Sequence, residues 1–468
     1  MLGFKMSYLA LAVSMVAFSN LASAVNPDQK NLPIGLSPNE MQKIGPLERL
    51  DPGPAPTAPI HSLGEWEDSE GVMTLWNNPS WIKALATRGA VKLLADDNSG
   101  VDWWKRFLDS NQIPSQTVSY FVVPTDSIWV RDYGPWFIID GLGKMGIVDT
   151  KYNRPRPTDD KVPQFIGRTL NIPVYTPGLV HTGGNYYNDG IDRAFSSTLV
   201  YSENSSLSKQ EVNTRMKDFL GINEYITSPL APRITIEHMD TFGKLVSPDT
   251  WVFSDFPQGS KYRADSERFV ALLQTMKSPY GTPYRILRMP MVSSSGRDDN
   301  YRAYINSFIS NNKLYFPIYN AESDNVARKI YSEALPGYEI VGVSAEGTEW
   351  GDSVHCRSRN LLTRDALFIF PSIDSANLRS SDDTLVSAKI IPSPDAVVES
   401  ARVEWTVNGV MQPSITMVQK EQSQFEAHIP AQSSGSKIEF FIASSDSRGK
   451  SRVEPRAAAL KPIMFVIP

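Results

Sequence analysis

Residues 208–221 read SKQEVNTRMKDFLG, and the reading of this stretch decides the fold class of the central part of the chain. Ser208 and Glu211 form a capping box. Val212, Met216 and Phe219 fall on one face of a 3.6-residue period, and Gly221 provides a left-handed stop. The predicted element is an amphipathic helix. Residues 265–276, DSERFVALLQTM, repeat the pattern with Phe269, Leu272, Leu273 and Met276. Strand patterns alternate with such helices, among them TVSYFVVP at 117–124 and YEIVGVSAE at 338–346. Strands and helices interleaved in this way predict an α/β architecture. No fixed-period repeat is visible.

The pattern ends near residue 375. Val403, Trp405 and Val407 alternate inward before Asn408-Gly409, a strong hairpin signal, and further short strands follow with no helical period between them. The expectation for 375–468 is a small β-sandwich of immunoglobulin-like type without an inter-sheet disulfide. On the other side, residues 25–60 are proline-rich and read as an extended lead-in. Residues 1–24 place Lys5 before an apolar run from Tyr8 to Phe18 and close on Ala22-Ser23-Ala24, the order of a secretory signal. That run is too short to span a membrane. The expected location is therefore periplasmic or extracellular, and the expected catalytic portion is 61–374.

The 468 residues carry 46 Lys and Arg against 51 Asp and Glu, and no dense basic cluster, so nucleic acid and anionic membranes are poor partners. With 34 prolines, 29 glycines and 10 tryptophans the composition is that of a loop-rich enzyme, not a fibre or a bundle.

The single cysteine, Cys356, lies in GDSVHCRSRN (351–360). An unpaired cysteine is commonly a small buried hydrophobe, whereas polar neighbours and an export signal favour a reactive thiol. Taken alone, these residues leave both readings open. In IEHMDTFG (236–243), His238 and Asp240 are two apart and would share a face of a strand. By itself that is a surface pair, and five histidines without ligand spacing give little support to a metal site. SIWVRDYGPWF (127–137) packs Trp129, Arg131, Asp132, Tyr133 and Trp136 into a strand ending at Gly134-Pro135. HTGGNYYNDG (181–190) adds a glycine-rich turn, and YNRPRP (152–157) holds Arg154 and Arg156 on one side of a proline-stiffened segment. His355 adjoins Cys356, and neighbours on an extended segment point apart. His355 is thus expected to be structural, with His238 the working imidazole.

WVRDYGPWF, HTGGNYYNDG, IEHMDTFG and GDSVHCRSRN, in this order, resemble the motifs of the bacterial (Porphyromonas-type) peptidylarginine deiminase family. This family belongs to the guanidino-group-modifying (pentein) superfamily and is related to the agmatine deiminases. The similarity spans roughly 60–372, and the module after it resembles that family's layout. The resemblance implies a five-bladed α/β-propeller with the site at its centre. It implies Cys356 as nucleophile, His238 as general acid/base, and Asp132 and Asp240 as the carboxylates that grip a guanidinium. Trp129 would cover the guanidinium, and Asn306, in AYINSF (303–308), corresponds to an asparagine near the substrate. Arg154 and Arg156 would hold the C-terminal carboxylate of a peptide substrate.

The implied reaction is hydrolysis of peptidyl arginine, preferably C-terminal, to citrulline and ammonia (class EC 3.5.3), with no metal and no cofactor. The physical logic agrees: a guanidinium stays protonated, and its planar N–H fork suits two carboxylates. Three rivals remain. One is a deiminase of agmatine or free arginine. Another is a thiol protease, which has no evident need of both Asp132 and Asp240. The third is an exported binding protein without activity.

Overall fold

In the computed structural model, residues 32–43, 48–229, 236–296, 300–348, 351–373, 378–421 and 423–468 are described. The expected leader, 1–24, lies outside them, as do parts of the lead-in. The helix at Lys209–Leu220 forms as its sequence dictates. Ser208 Oγ accepts the Glu211 N–H at 3.2 Å, Glu211 Oε2 accepts the Ser208 N–H at 2.8 Å, and Gly221 ends the helix at φ 71°. Val212, Met216 and Phe219 pack with Ile138, Ala194 and Ile222.

This helix joins two parallel strands, Arg193–Ser197 and Glu224–Ser228, and Tyr187–Asn188 pairs antiparallel with the first. The same unit, a strand with one antiparallel and one helix-linked parallel neighbour, recurs. Helix Arg263–Gln274 links Thr250–Asp255 to Arg285–Pro290, helix Glu322–Ala334 links Lys313–Ile318 to Glu339–Ser344, and helix Val162–Leu170 links Met145–Val148 to Val174–Tyr175. In the remaining unit helix Pro79–Ala86 links Ser69–Thr74 to Val91–Ala95. Its antiparallel neighbour, Arg359–Leu362, comes from almost 300 residues further along the chain, with Arg359 opposite Met73. That pairing closes the α/β part on itself, and residues 351–358, just before the strand, are buried.

The C-terminal part is all-β. Phe368–Ile373, Thr384–Ile391, Gln424–Ile429 and Val418–Glu421 form one sheet, and Val398–Val407 and Lys437–Asp446 centre the other. Val386, Val403, Trp405, Phe425, Ile438 and Phe440 fill the space between them. The hairpin after Val407 turns at Asn408 and Gly409, both at positive φ (50° and 82°). The first strand of this part, Phe368–Ile373, begins before the change of sequence pattern near 375, because its apolar run suits either neighbourhood. A buried and a half-buried ion pair join the two parts: Arg452 Nη2 lies 2.9 Å from Glu67 Oε1, and Lys461 Nζ lies 2.7 Å from Asp249 Oδ1.

Candidate active site

Two segments expected to be strands are tight turns, and the turns aim the carboxylates. Val130–Tyr133 is a single helical turn that begins after Trp129, and the Asp132 N–H donates to the Trp129 carbonyl at 2.9 Å. A two-residue alternation does not survive there, because the chain must reverse before Gly134. Likewise only His238 is extended (φ −86°, ψ 144°), while Met239–Thr241 form a 3₁₀ turn. Glu237 precedes it at φ 50°, a left-handed conformation that a non-glycine residue adopts at some strain.

Residues 351–357 also turn, and Asn306 shapes them. Its Oδ1 accepts the backbone N–H groups of Ser353 (2.8 Å), His355 (3.1 Å) and Cys356 (3.2 Å), and its Nδ2 lies 3.1 Å from Cys356 Sγ. The turn overrides the opposed orientation expected of His355 and Cys356. Both meet Asp240: Cys356 Sγ is 3.4 Å and His355 Nδ1 2.8 Å from Asp240 Oδ2.

His238, Asp132 and Asp240 converge over Gly184. A Cβ at that position would stand 2.7 Å from His238 Nδ1, 2.8 Å from Asp132 Oδ1 and 3.2 Å from Asp240 Oδ2. Gly183 is as constrained, since its Cβ would stand 2.2 Å from the Arg131 carbonyl oxygen. The Gly184 N–H donates to Asp132 Oδ1 at 3.2 Å, His238 Nδ1 is 3.6 Å from the same oxygen, and His238 Nε2 is 3.1 Å from Thr182 Oγ1. All four predicted catalytic side chains are buried. Three of their polar atoms, Asp132 Oδ2, Asp240 Oδ1 and His238 Nδ1, have no hydrogen-bond partner among the described residues.

Burial, opposed by Arg154, the Gly184 N–H, Arg156 and Arg131, raises Asp132 to about 6. Burial and then Asp132 push Asp240 well above the usual carboxylate range. Burial, followed by Asp240, Asp352 and Asp132, pushes the Cys356 thiol well up. Burial, with Arg154 and His181, holds His238 well below its ordinary value. A cation beside the two carboxylates would favour their ionised forms and ease the thiol towards thiolate. Among the described residues no group of three His, Cys, Asp or Glu side chains is arranged to hold a metal ion.

Arg154, Arg156 and Trp129 stand differently from expectation. Arg156 is buried, its Nε 2.8 Å from Glu40 Oε1 and its Nη2 2.8 Å and 3.0 Å from the carbonyls of Pro33 and Gly35. It is committed to the lead-in and does not present a free guanidinium to a ligand. Arg154 donates to the Ile34 carbonyl through Nη2 at 3.3 Å, while its Nε has no partner among the described residues. Trp129 donates through Nε1 to the Leu32 carbonyl at 2.9 Å, and the Arg357 guanidinium lies 5.1 Å from its ring. The lead-in is therefore not merely extended. Residues 32–41 lie on these side chains, with Ile34 in the apolar core and a short helix at Pro38–Met41.

Sequence reasoning passed over Gly184, Thr182 and Glu65. The quoted glycine pair was the available signal for the first two. For Glu65, which binds His355 from the far side, sequence carries none.

A family model described as Porphyromonas-type peptidyl-arginine deiminase matches residues 63–361. A protein from Mycoplasma capricolum named "Putative agmatine deiminase" is 22% identical over 341 residues, covering 63% of this chain and 93% of the relative. One of the same name from Selenomonas ruminantium is 24% identical over 297 residues, covering 53% and 78%. Two solved structures share the fold. A Porphyromonas gingivalis protein named "Putative Arginine Deiminase" has TM-score 0.57 at 19% identity and covers 65% of this chain and 98% of its own. A C. jejuni agmatine deiminase has TM-score 0.56 at 20% identity and covers 65% and 96%. With the matched model spanning well over half its length, the chain belongs to the Porphyromonas-type peptidyl-arginine deiminase family, related to the agmatine deiminases.

Proposed function

We propose that the protein deiminates arginine side chains of peptides through a covalent cysteine intermediate. The observation that carries this reading is the set of unpartnered polar atoms of Asp132, Asp240 and His238 around Gly184, beside Cys356. Two buried carboxylates with free oxygens suit the N–H fork of a guanidinium and fix its plane. The Cys356 thiol gives its proton to His238, the thiolate attacks the central carbon, and one C–N bond breaks as His238 passes that proton to the departing ammonia. A thiouronium on Cys356 remains. His238 then takes a proton from water as the hydroxyl adds to the same carbon. The C–S bond breaks, which leaves a ureido group and restores the thiol. We read the five α/β sheets as the blades of a pentein propeller around this centre, the all-β part as an immunoglobulin-like module, and residues 1–24 as an export signal.

The curated relatives are named for agmatine, and agmatine is the second reading. Arg154 favours a peptide, since agmatine has no carboxylate to meet it. Arg156 can join only when Glu40 releases it. A peptide ending in arginine, the same peptide amidated, and agmatine are to be compared by citrulline or ureido product and by ammonia. Amidation is expected to lower kcat/KM by at least about tenfold, equivalent to about 1.4 kcal/mol. Arg154→Ala should remove most of that discrimination. Equal rates on acid and amide would refute the C-terminal preference, turnover of agmatine alone would favour the second reading, and no turnover of any of the three would favour a binding protein.

A further inference from the structure

His355 lies between two carboxylates, its Nδ1 2.8 Å from Asp240 Oδ2 and its Nε2 2.9 Å from Glu65 Oε2. Each short N···O contact needs a proton, and a neutral imidazole carries one. The trio Glu65–His355–Asp240 therefore holds two protons. Glu65 is the anion of the three: Arg131 Nη2 lies 2.9 Å from it, Lys244 Nζ pairs with its Oε1, and the Ile309 N–H donates to it at 2.8 Å. These contacts outweigh burial and hold its carboxyl well below the usual range. The second proton must then lie between His355 Nδ1 and Asp240 Oδ2.

The surroundings decide on which side it rests. Arg131, Lys244 and the ring of Tyr187 face His355 along with the two carboxylates, and burial with the two cations disfavours an imidazolium. Asp240 is faced by Cys356 and Asp132 as well; the Cys356 contact, Arg131 and Lys244 favour its anion, but burial and then Asp132 outweigh them. Without a cation the proton thus belongs on Asp240. A guanidinium placed against Asp132 and Asp240 reverses the balance. The Asp240 O–H bond breaks, the His355 Nδ1–H bond forms, and a neutral pair becomes an ion pair without exchange of protons with solvent.

We propose that His355, anchored by Glu65, is a positioning residue that leaves a proton on Asp240 in the free enzyme and accepts it when a guanidinium binds. The inference rests on the guanidinium-binding reading above and explains how a buried pair of carboxylates avoids facing each other as anions between turnovers.

Calorimetry tests it in a Cys356→Ala background, so that the nucleophile's own proton does not enter. Binding of a peptide ending in arginine is measured at about pH 8, above the Asp132 value, in buffers of different ionisation enthalpy. With His355 intact, no net proton should be released. In His355→Gln, and again in Glu65→Gln, about one proton per peptide should be released, and affinity should rise about tenfold per pH unit. Release of about one proton with His355 intact, or of none in both variants, overturns the proposal. A second measurement needs no ligand: the infrared difference between the free Cys356→Ala protein and its Asp240→Asn derivative should show a carboxylic-acid C=O band at neutral pH. A carboxylate band in its place overturns the proposal. Failure of the arginine peptide to bind counts instead against the peptidyl-arginine reading, and leaves the infrared result decisive for His355.

Discussion

Burial lifts the Asp132 carboxyl to about 6 although Arg154 faces it and the Gly184 N–H donates to it. A folded value above the ordinary 3.8 means that this group favours the folded state fully only below about 3.8, and that its contribution is lost as pH rises through about 6. Asp132→Asn should therefore stabilise the protein by up to about 3 kcal/mol at pH 8, a gain that vanishes near pH 3.5. The same change removes a charge-assisted contact of about 1.5–3 kcal/mol to a guanidinium and should lower kcat/KM about 10- to 100-fold. Denaturation at the two pH values, set beside steady-state kinetics, checks both halves. A variant that is less stable at pH 8 would show that Asp132 is held by contacts stronger than its burial penalty.

At the scale of elements, the site is made by short turns and not by the regular strands around them. The 3₁₀ turn at Gly183–Asn185 passes so close to Arg131 and His238 that no side chain fits at either glycine. Gly184→Ala puts a methyl group where His238 Nδ1, Asp132 Oδ1 and Asp240 Oδ2 meet. Activity should fall at least about 100-fold from a displacement of this size. The apolar cores formed by helices such as Lys209–Leu220 do not involve Gly184, so the far-UV circular dichroism should be unchanged. Retained activity would mean that substrate does not occupy the space above Gly184. The capped helices themselves were legible, because their caps and apolar faces are local. The turns at 130–133 and 239–241 were not, because their residues carry no turn chemistry until tertiary contacts bend them.

In the whole molecule, residues 32–41 lie across Trp129, Arg154 and Arg156 on the flank of the site that carries Asp132. The proposed catalytic groups are buried, and on the peptide reading a substrate reaching Asp132 from this flank is expected to displace that segment. The Glu40 carboxylate sits on Arg156 in the way a substrate's terminal carboxylate would. Burial opposes this pairing, but the Arg156 hydrogen bond and the Ser37 backbone and hydroxyl contacts lower Glu40 to about 2. A lowered value stabilises the contact above the ordinary 4.5, and the stabilisation is lost as pH falls towards about 2. Glu40→Gln should weaken the segment's hold at neutral pH and lower KM for arginine-ending peptides several-fold with little change in kcat. Faster hydrogen exchange over 32–41 should accompany it. An unchanged KM with faster exchange would show that substrate enters from another side.

What the sequence determined by itself is whatever depends on neighbours in the chain. The helix at 208–221, the strands near 118–122 and 339–344, the Asn408-Gly409 turn and the order of the four motifs all rest on local period, capping and turn chemistry. The resemblance carried by those motifs brought Cys356, His238, Asp132 and Asp240 forward as one set. Tertiary structure alone decided the rest. The closing of Arg359–Leu362 onto Ser69–Thr74, the Asn306 contacts that turn Cys356 and His355 onto one carboxylate, the placing of Glu65 behind His355, and the capture of Arg156 by Glu40 join residues about 50 to 290 apart in sequence. No local pattern encodes such contacts. They exist because each buried charge, once out of water, has to find a partner wherever the fold provides one.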